Sequence, residues 1–226
     1  MTARRPIAVL VAAGIVFAIL TGLGVWQVQR LAWKTDLIAR TDARVAAAPV
    51  AAPGPAEWDT LTQDAAEYRR VTVTGAYAPD SDVLVQAVTE RGPGFWVMTP
   101  LAADAGWTVL VNRGFVAQDR RDDRPLPAGG QTVTGLLRMS QPDGAFLRAN
   151  DPQAGRWYSR DTQAIAAALG LVGAAPYFID ADRAGDGQPI GGLTVVAFRN
   201  PHLTYALTWF AMAGGLVLLT ALALRR

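Results

Sequence analysis

The chain has 226 residues, 51% hydrophobic and only 18% charged, with a formal charge of +2 and a positive mean hydropathy. Every acid lies between Asp36 and Asp186 and four bases (Arg4, Arg5, Arg225, Arg226) sit at the extremes, so residues 29–202 hold 17 bases and 19 acids, a net of −2; no nucleic-acid partner fits that balance. With no cysteine and one histidine, His202, thiol redox, disulfides and Cys/His zinc sites are excluded, and a Ser-His-Asp triad would have to use His202.

Residues 7–28 (IAVLVAAGIVFAILTGLGVWQV) are uncharged, as are residues 203–224 (LTYALTWFAMAGGLVLLTALAL). At about 1.5 Å per residue each is long enough to cross a hydrocarbon core about 30 Å thick. The first is too long for a signal-peptide core and runs into Trp26, Arg30, Trp33 and Lys34 without a nearby small-x-small cleavage site, so it reads as an uncleaved anchor. Two spans put residues 1–6 and 225–226 on one side and 29–202 on the other. Arg4, Arg5, Arg225 and Arg226 favour the cytoplasm for the ends, although Arg30, Lys34, Arg40 and Arg44 blunt the count.

Small residues recur on the first span at Gly14, Ala18 and Gly22, and on the second at Ala211 and Gly215. They offer close-approach faces for each other or for a partner's helices. Between the spans, Ala/Pro-rich residues 41–57 read as a linker, and residues 58–66 as a short helix. Strands are expected at 70–77, 82–86, 95–99 (ending at Pro100), 107–112, 131–137, 177–180 and 193–198, with turns at 78–81, 91–94, 127–130 and 185–187. A helix over 162–169 has Asp161 as N-cap and Gly170 as stop. Many short strands with little helix predict a barrel-like antiparallel domain. The expected fold class is a membrane protein, with two transmembrane helices flanking a mainly β (α+β) barrel-like extracytoplasmic domain.

Asp122-Asp123 and Asp180/Asp182 fall in expected turns and read as solvent-exposed, and Asp119–Arg124 as a solvated loop, so an enzyme is disfavoured. On an ideal helix His202, Tyr205, Trp209 and Met212 fall within an arc of about 80°. That face is either an interfacial aromatic anchor or a haem-contact face, with an imidazole for iron and flat side chains for the macrocycle. Gln27, Arg30 and Lys34 share i, i+3, i+7 spacing at the end of the first span, and Arg199 approaches from the second. These bases either snorkel to lipid phosphates or pair with an anionic ligand group such as haem propionates.

The segments Leu23-Gly-Val-Trp-Gln-Val-Gln-Arg30 with Lys34, Gly94-Phe-Trp-Val-Met-Thr-Pro-Leu101, Val109-Leu-Val-Asn-Arg-Gly-Phe115 and Asn200-Pro-His-Leu-Thr-Tyr-Ala-Leu-Thr-Trp-Phe210 occur in this order. Together they resemble the surfeit-locus (Shy-type) cytochrome c oxidase assembly family over almost the whole chain. Phe115 stands where that family often has Trp. The resemblance implies an inner-membrane protein, bacterial or mitochondrial, with its central domain outside the cytoplasm. It also implies help with haem a delivery or insertion into the catalytic subunit of the oxidase, with haem a synthase as a further partner. His202 matches the family's histidine beside the second span, which makes it the expected axial ligand of haem a. Tyr205 and Trp209 would line the macrocycle, and Arg30 or Lys34 would meet the propionates. The alternative is a protein adaptor that stabilises an oxidase intermediate without binding haem.

Overall fold

A computed structural model describes residues 4–142, 148–185, 187–194, 196 and 198–225, with side chains from residue 7 onward. It divides into two compact units, one formed by the two ends of the chain up to Asp42 and from Val196, the other spanning Ala43–Val195.

The first unit is helical. Helix α1 runs Arg4–Ala46 and α4 runs His202–Leu224. Their most apolar windows have mean hydropathies of 2.5 and 2.0, and only 6% of either window is buried. Side chains such as Ile7, Leu10, Phe17, Leu207, Leu218 and Leu219 are exposed along both. Water would penalise that surface heavily, whereas lipid is its natural solvent, so the chain is a membrane protein.

Residues 41–57, expected as a linker, are instead the last turns of α1, strand β1 (Val50–Ala51) and a 3₁₀ turn at Pro55–Thr60. Alanine is the strongest helix former, so the Ala-rich stretch prolongs α1 until Pro49 and Pro53 stop it. The helix expected over 58–66 is split between that 3₁₀ turn and α2 (Gln63–Ala66), which Thr62 caps by accepting from Ala65 N.

The second unit is built on β2 (Arg70–Tyr77), β3 (Val83–Thr89), β4 (Gly92–Ala103), β5 (Thr108–Ala117), β6 (Gly130–Met139) and β7 (Ala174–Ala181), with helix α3 (Thr162–Ala168). Strands β2-β6-β7-β5-β4 lie side by side, and β4 pairs again with β2, so the five close into a barrel. All these pairings are antiparallel except β5 with β7. The residues expected as a turn at 91–94 largely belong to β4: Thr89 pairs with Gly92, leaving Glu90-Arg91 as a two-residue hairpin loop. Nor does β4 end at Pro100. Its first half pairs with β3 and its last three residues with β2, and Pro100 falls where one partner replaces the other, so its missing N–H forfeits no bond there.

Two apolar clusters follow from the period-2 alternation. Val71, Val73, Leu101, Val109, Val111, Leu137, Tyr177 and Ile179 fill the barrel, while Leu110 and Phe178 face the other way, onto Val85, Met98, Trp157 and Ile165 of α3. Strands β5 and β7 are thus buried on both faces. Asp161 caps α3 by accepting from Gln163 N and Ala164 N, and Gly170 (φ +64°) follows its end. No strand forms over 193–198 among the described residues, with 195 and 197 outside them. Thr194 instead donates its hydroxyl to Asp180 (2.8 Å).

Candidate functional site

The site is built from the facing surfaces of α1 and α4. From Gly24 onward the buried positions of α1 are Gly24, Gln27 and Thr41, and Leu31, Lys34, Leu37, Ile38, Arg44 and Val45 are half-buried, so positions three or four apart keep one face turned inward. On α4 the same spacing picks out His202, Ala206, Trp209 and Ala213, with Ala206 and Ala213 almost fully buried. Gly24 meets the ring of Phe210, Gln27 meets His202, and Thr35 meets Asn200. Numbers rise along one helix as they fall along the other, so the pair is antiparallel.

Among the sequence-expected residues, His202 is half-buried, with Nδ1 2.8 Å from Gln27 Oε1. Gln27 is only 8% exposed. Across the ring, His202 Nε2 has no hydrogen-bond partner among the described residues. Trp209 lies half-buried two turns along the same inward face, whereas Tyr205 is 51% exposed and Met212 is exposed on the outer flank of the arc. The Arg30 guanidinium stacks 4.0 Å from the centre of the Trp33 ring on its own helix. Lys34 Nζ lies 4.7 Å over the Phe198 ring. Neither cation is paired with an acid among the described residues, and α4 begins at Pro201 without a side-chain cap. Its unmatched first-turn N–H groups add positive potential close to Arg199, which precedes the helix by three residues.

Gln27 is the residue that sequence reasoning underused. Its signal was the one amide side chain within an apolar run, near its end and in step with Gly24 and Leu31. Gly14 and Gly22 make no close approach to the other helix: a methyl group added at either would meet nothing within 4 Å, whereas one at Gly24 would lie 2.6 Å from Phe210 Cε1.

The donor set suits a haem iron. A metal-bound imidazole ordinarily has its second nitrogen held by a hydrogen-bonding partner, and His202 has one nitrogen so held and the other unengaged among the described residues. No group of three or more His, Cys, Asp or Glu is placed to hold a bare metal ion among the described residues.

The barrel's polar side chains serve its architecture. Asp180, expected in an exposed turn, is 4% exposed within β7. It accepts from Asn112 Nδ2 (2.7 Å), Arg138 Nη1 (2.8 Å), Arg160 Nη1 (3.1 Å) and Thr194 Oγ1 (2.8 Å). Period-2 alternation cannot show that a charge is buried when its partners come from other strands. Burial holds the Arg160 guanidinium below its ordinary pKa; for Arg138 burial acts the same way, but Asp180 and Glu67 outweigh it and raise the value. Asp182 pairs with Arg70 at the end of this network. In the segment Asn112-Arg-Gly-Phe115, Arg113 donates to Thr99 Oγ1 (2.8 Å) and Asp82 Oδ2 (3.2 Å), and Arg124 joins the same carboxylate at 3.2 Å. Asp122 stays exposed. With their lone pairs taken up by fixed donors, Asp180 and Asp82 are poor candidates for proton transfer.

Comparison with known proteins agrees with this architecture. The sequence model of the SURF1 family matches residues 14–214. "Surfeit locus protein 1" of Mus musculus is 36% identical over 214 residues, covering 84% of this chain and 67% of its own. The protein of that name in Homo sapiens is 36% identical over 216 residues (85% and 69%), and the "SURF1-like protein" of Monosiga brevicollis is 34% identical over 212 (85% and 78%). With the order of its four segments, its two apolar helices and this similarity along most of its length, the chain belongs to the SURF1 family.

Proposed function

We propose that this chain is an assembly factor for haem-copper cytochrome c oxidase, which holds haem a transiently at the outer edge of a bacterial or mitochondrial inner membrane and presents it to the catalytic subunit. Haem a is cargo in this reading, received from haem a synthase and passed on. His202 binds the iron through Nε2, Trp209 and the outward Tyr205 flank the macrocycle, and Arg30 or Lys34 meets the propionates. The spans Ile7–Val28 and Leu203–Leu224 cross the bilayer, and the barrel lies on the extracytoplasmic side.

The observation that carries this reading is the state of the single histidine: Nδ1 is held by Gln27 and Nε2 has no partner among the described residues. Trp209 shares the inward face of α4 with His202, and Arg30 and Lys34, which have no acidic partner among the described residues, follow Gln27 on α1 and stack on Trp33 and Phe198; an apolar macrocycle with two carboxylates calls for groups of these kinds. Family membership supports the same role.

The test is the absorption spectrum of protein purified from cells that make haem a. The expected result is a haem a spectrum that His202→Ala abolishes; an unchanged spectrum in that variant removes His202 as ligand. If instead the protein never carries haem, yet co-purifies with the catalytic subunit when haem a synthesis is blocked, it is a protein adaptor.

A further inference from the structure

We infer that Gln27 is a positioning residue that fixes the tautomer of His202, so that the imidazole offers Nε2, and only Nε2, as a ligand. The use made of that nitrogen rests on the haem a reading above; the tautomer itself does not.

The inference comes from a constraint on protons. Gln27 Oε1 is a carbonyl oxygen and can only accept a hydrogen bond. With the amide oriented as in the structure, Oε1 lies 2.8 Å from His202 Nδ1, and the contact is a hydrogen bond when Nδ1 carries the proton. The opposite tautomer would set two lone pairs against each other at that distance, unless the amide turned over to donate through its NH2 group. A neutral imidazole carries one N–H, so a proton fixed at Nδ1 leaves the Nε2 lone pair bare. Free imidazole side chains ordinarily favour the proton on Nε2, which would mask the outward nitrogen with hydrogen.

The surroundings make Gln27 an effective constraint. It is 8% exposed on the inward face of α1, next to Gly24, whose lack of a side chain admits the Phe210 ring from α4. A buried amide is costly unless hydrogen-bonded, so apolar packing favours keeping the contact with His202. One turn beyond His202, Ala206 is 2% exposed, and its small size keeps the helices close there. Imidazole orientation is thus set by a partner on another helix, before any ligand arrives.

His202 is the sole histidine of the chain, so imidazole ¹⁵N labelling gives signals from this residue alone. The experiment is ¹⁵N NMR of full-length protein, made without a histidine tag, in lipid bilayers without haem, at a pH where free imidazole is neutral. Expected is a protonated Nδ1 and an unprotonated Nε2. Gln27→Met keeps the volume, removes the acceptor and should move most of the population to the Nε2–H form. Gln27→Glu offers only acceptors at this site when ionised and should keep the Nδ1–H form. Haem a occupancy should fall about tenfold or more in Gln27→Met, the usual range for losing such a partner, and recover in Gln27→Glu. A wild-type signal from Nε2–H, or an unchanged tautomer in Gln27→Met, overturns the inference. The expected tautomers together with haem a retained in His202→Ala overturn the ligand role of His202 and leave the tautomer assignment standing.

Discussion

Gly114 of β5 lies against the backbone of Ile190 so closely that a methyl group at position 114 would sit 2.3 Å from the Ile190 carbonyl carbon and oxygen. Phe115 N donates to Ile190 O at 3.0 Å and Ile190 N returns to Phe115 O at 2.9 Å, so neither backbone can retreat without losing a bond. Gly114 also has φ +135°, which side chains rarely adopt.

Gly114→Ala is therefore expected to destabilise the barrel by about 3 kcal/mol, combining backbone strain and overlap. Gly130→Ala, where the added methyl meets nothing within 4 Å, serves as the control and should change stability by less than about 0.5 kcal/mol. Tryptophan-monitored unfolding of the two variants in detergent measures the difference.

Asp180→Ala should be among the most damaging substitutions in the second unit. It removes the acidic partner of Arg160, leaves Arg138 with Glu67 alone, and frees Asn112 and Thr194. Removing one partner from a buried ionic network costs about 3–5 kcal/mol. Thr194→Val, which removes only one of the four donors, should cost about 1 kcal/mol. Equal effects of the two substitutions would contradict the network.

Alkaline stability should depend on Tyr77. Burial pushes its hydroxyl up to about 12, with Asp82 adding to the rise and Arg113 opposing it. In the unfolded chain a tyrosine ionises near about 10, so the unfolded state loses its proton first. The Tyr77 contribution is present in full below about pH 10 and is lost as pH rises through about 12, at no more than about 1.4 kcal/mol per unit. Tyr177, also pushed up by burial, acts in the same direction. Unfolding midpoints across this window should fall less steeply in Tyr77→Phe than in the wild type.

The contact between Gly24 and Phe210 is testable because the chain has no cysteine. Thr35→Cys with Asn200→Cys should be joined by a short bifunctional reagent, since the native side chains lie 3.4 Å apart. Adding Gly24→Ala should lower the yield, because the methyl would overlap the Phe210 ring at 2.6 Å. Phe210→Ala should restore it. No loss with Gly24→Ala would mean that Phe210 yields without moving the helices.

Local patterns announced much of this molecule. Strand 70–77 alternates and lies within its expected bounds, and the Trp107–Asn112 stretch, the most apolar of the expected strands, became a strand buried on both faces. Asp161 and Gly170 marked α3 because caps are local. Contacts between distant segments were not legible: β1 exists only through pairing with β2, and the burial of Asp180 depends on donors from β5, β6 and two loops. The same division holds at the candidate site. Helical periodicity put His202 and Trp209 on one face, but it could not show that Tyr205 lies on its outer flank. Nor could it show that the partner of His202 is Gln27, 175 positions earlier.

That separation in sequence gives the His202 environment an order in time. Gln27 is synthesised and enters the bilayer with the first helix, then waits while the whole barrel sequence is translated. Only after His202 and the helix behind it have been inserted can the imidazole find its acceptor. A chain interrupted before that point carries the first apolar helix and the barrel strands but not the histidine, so the contact between Gln27 and His202 forms only after the barrel sequence has been made.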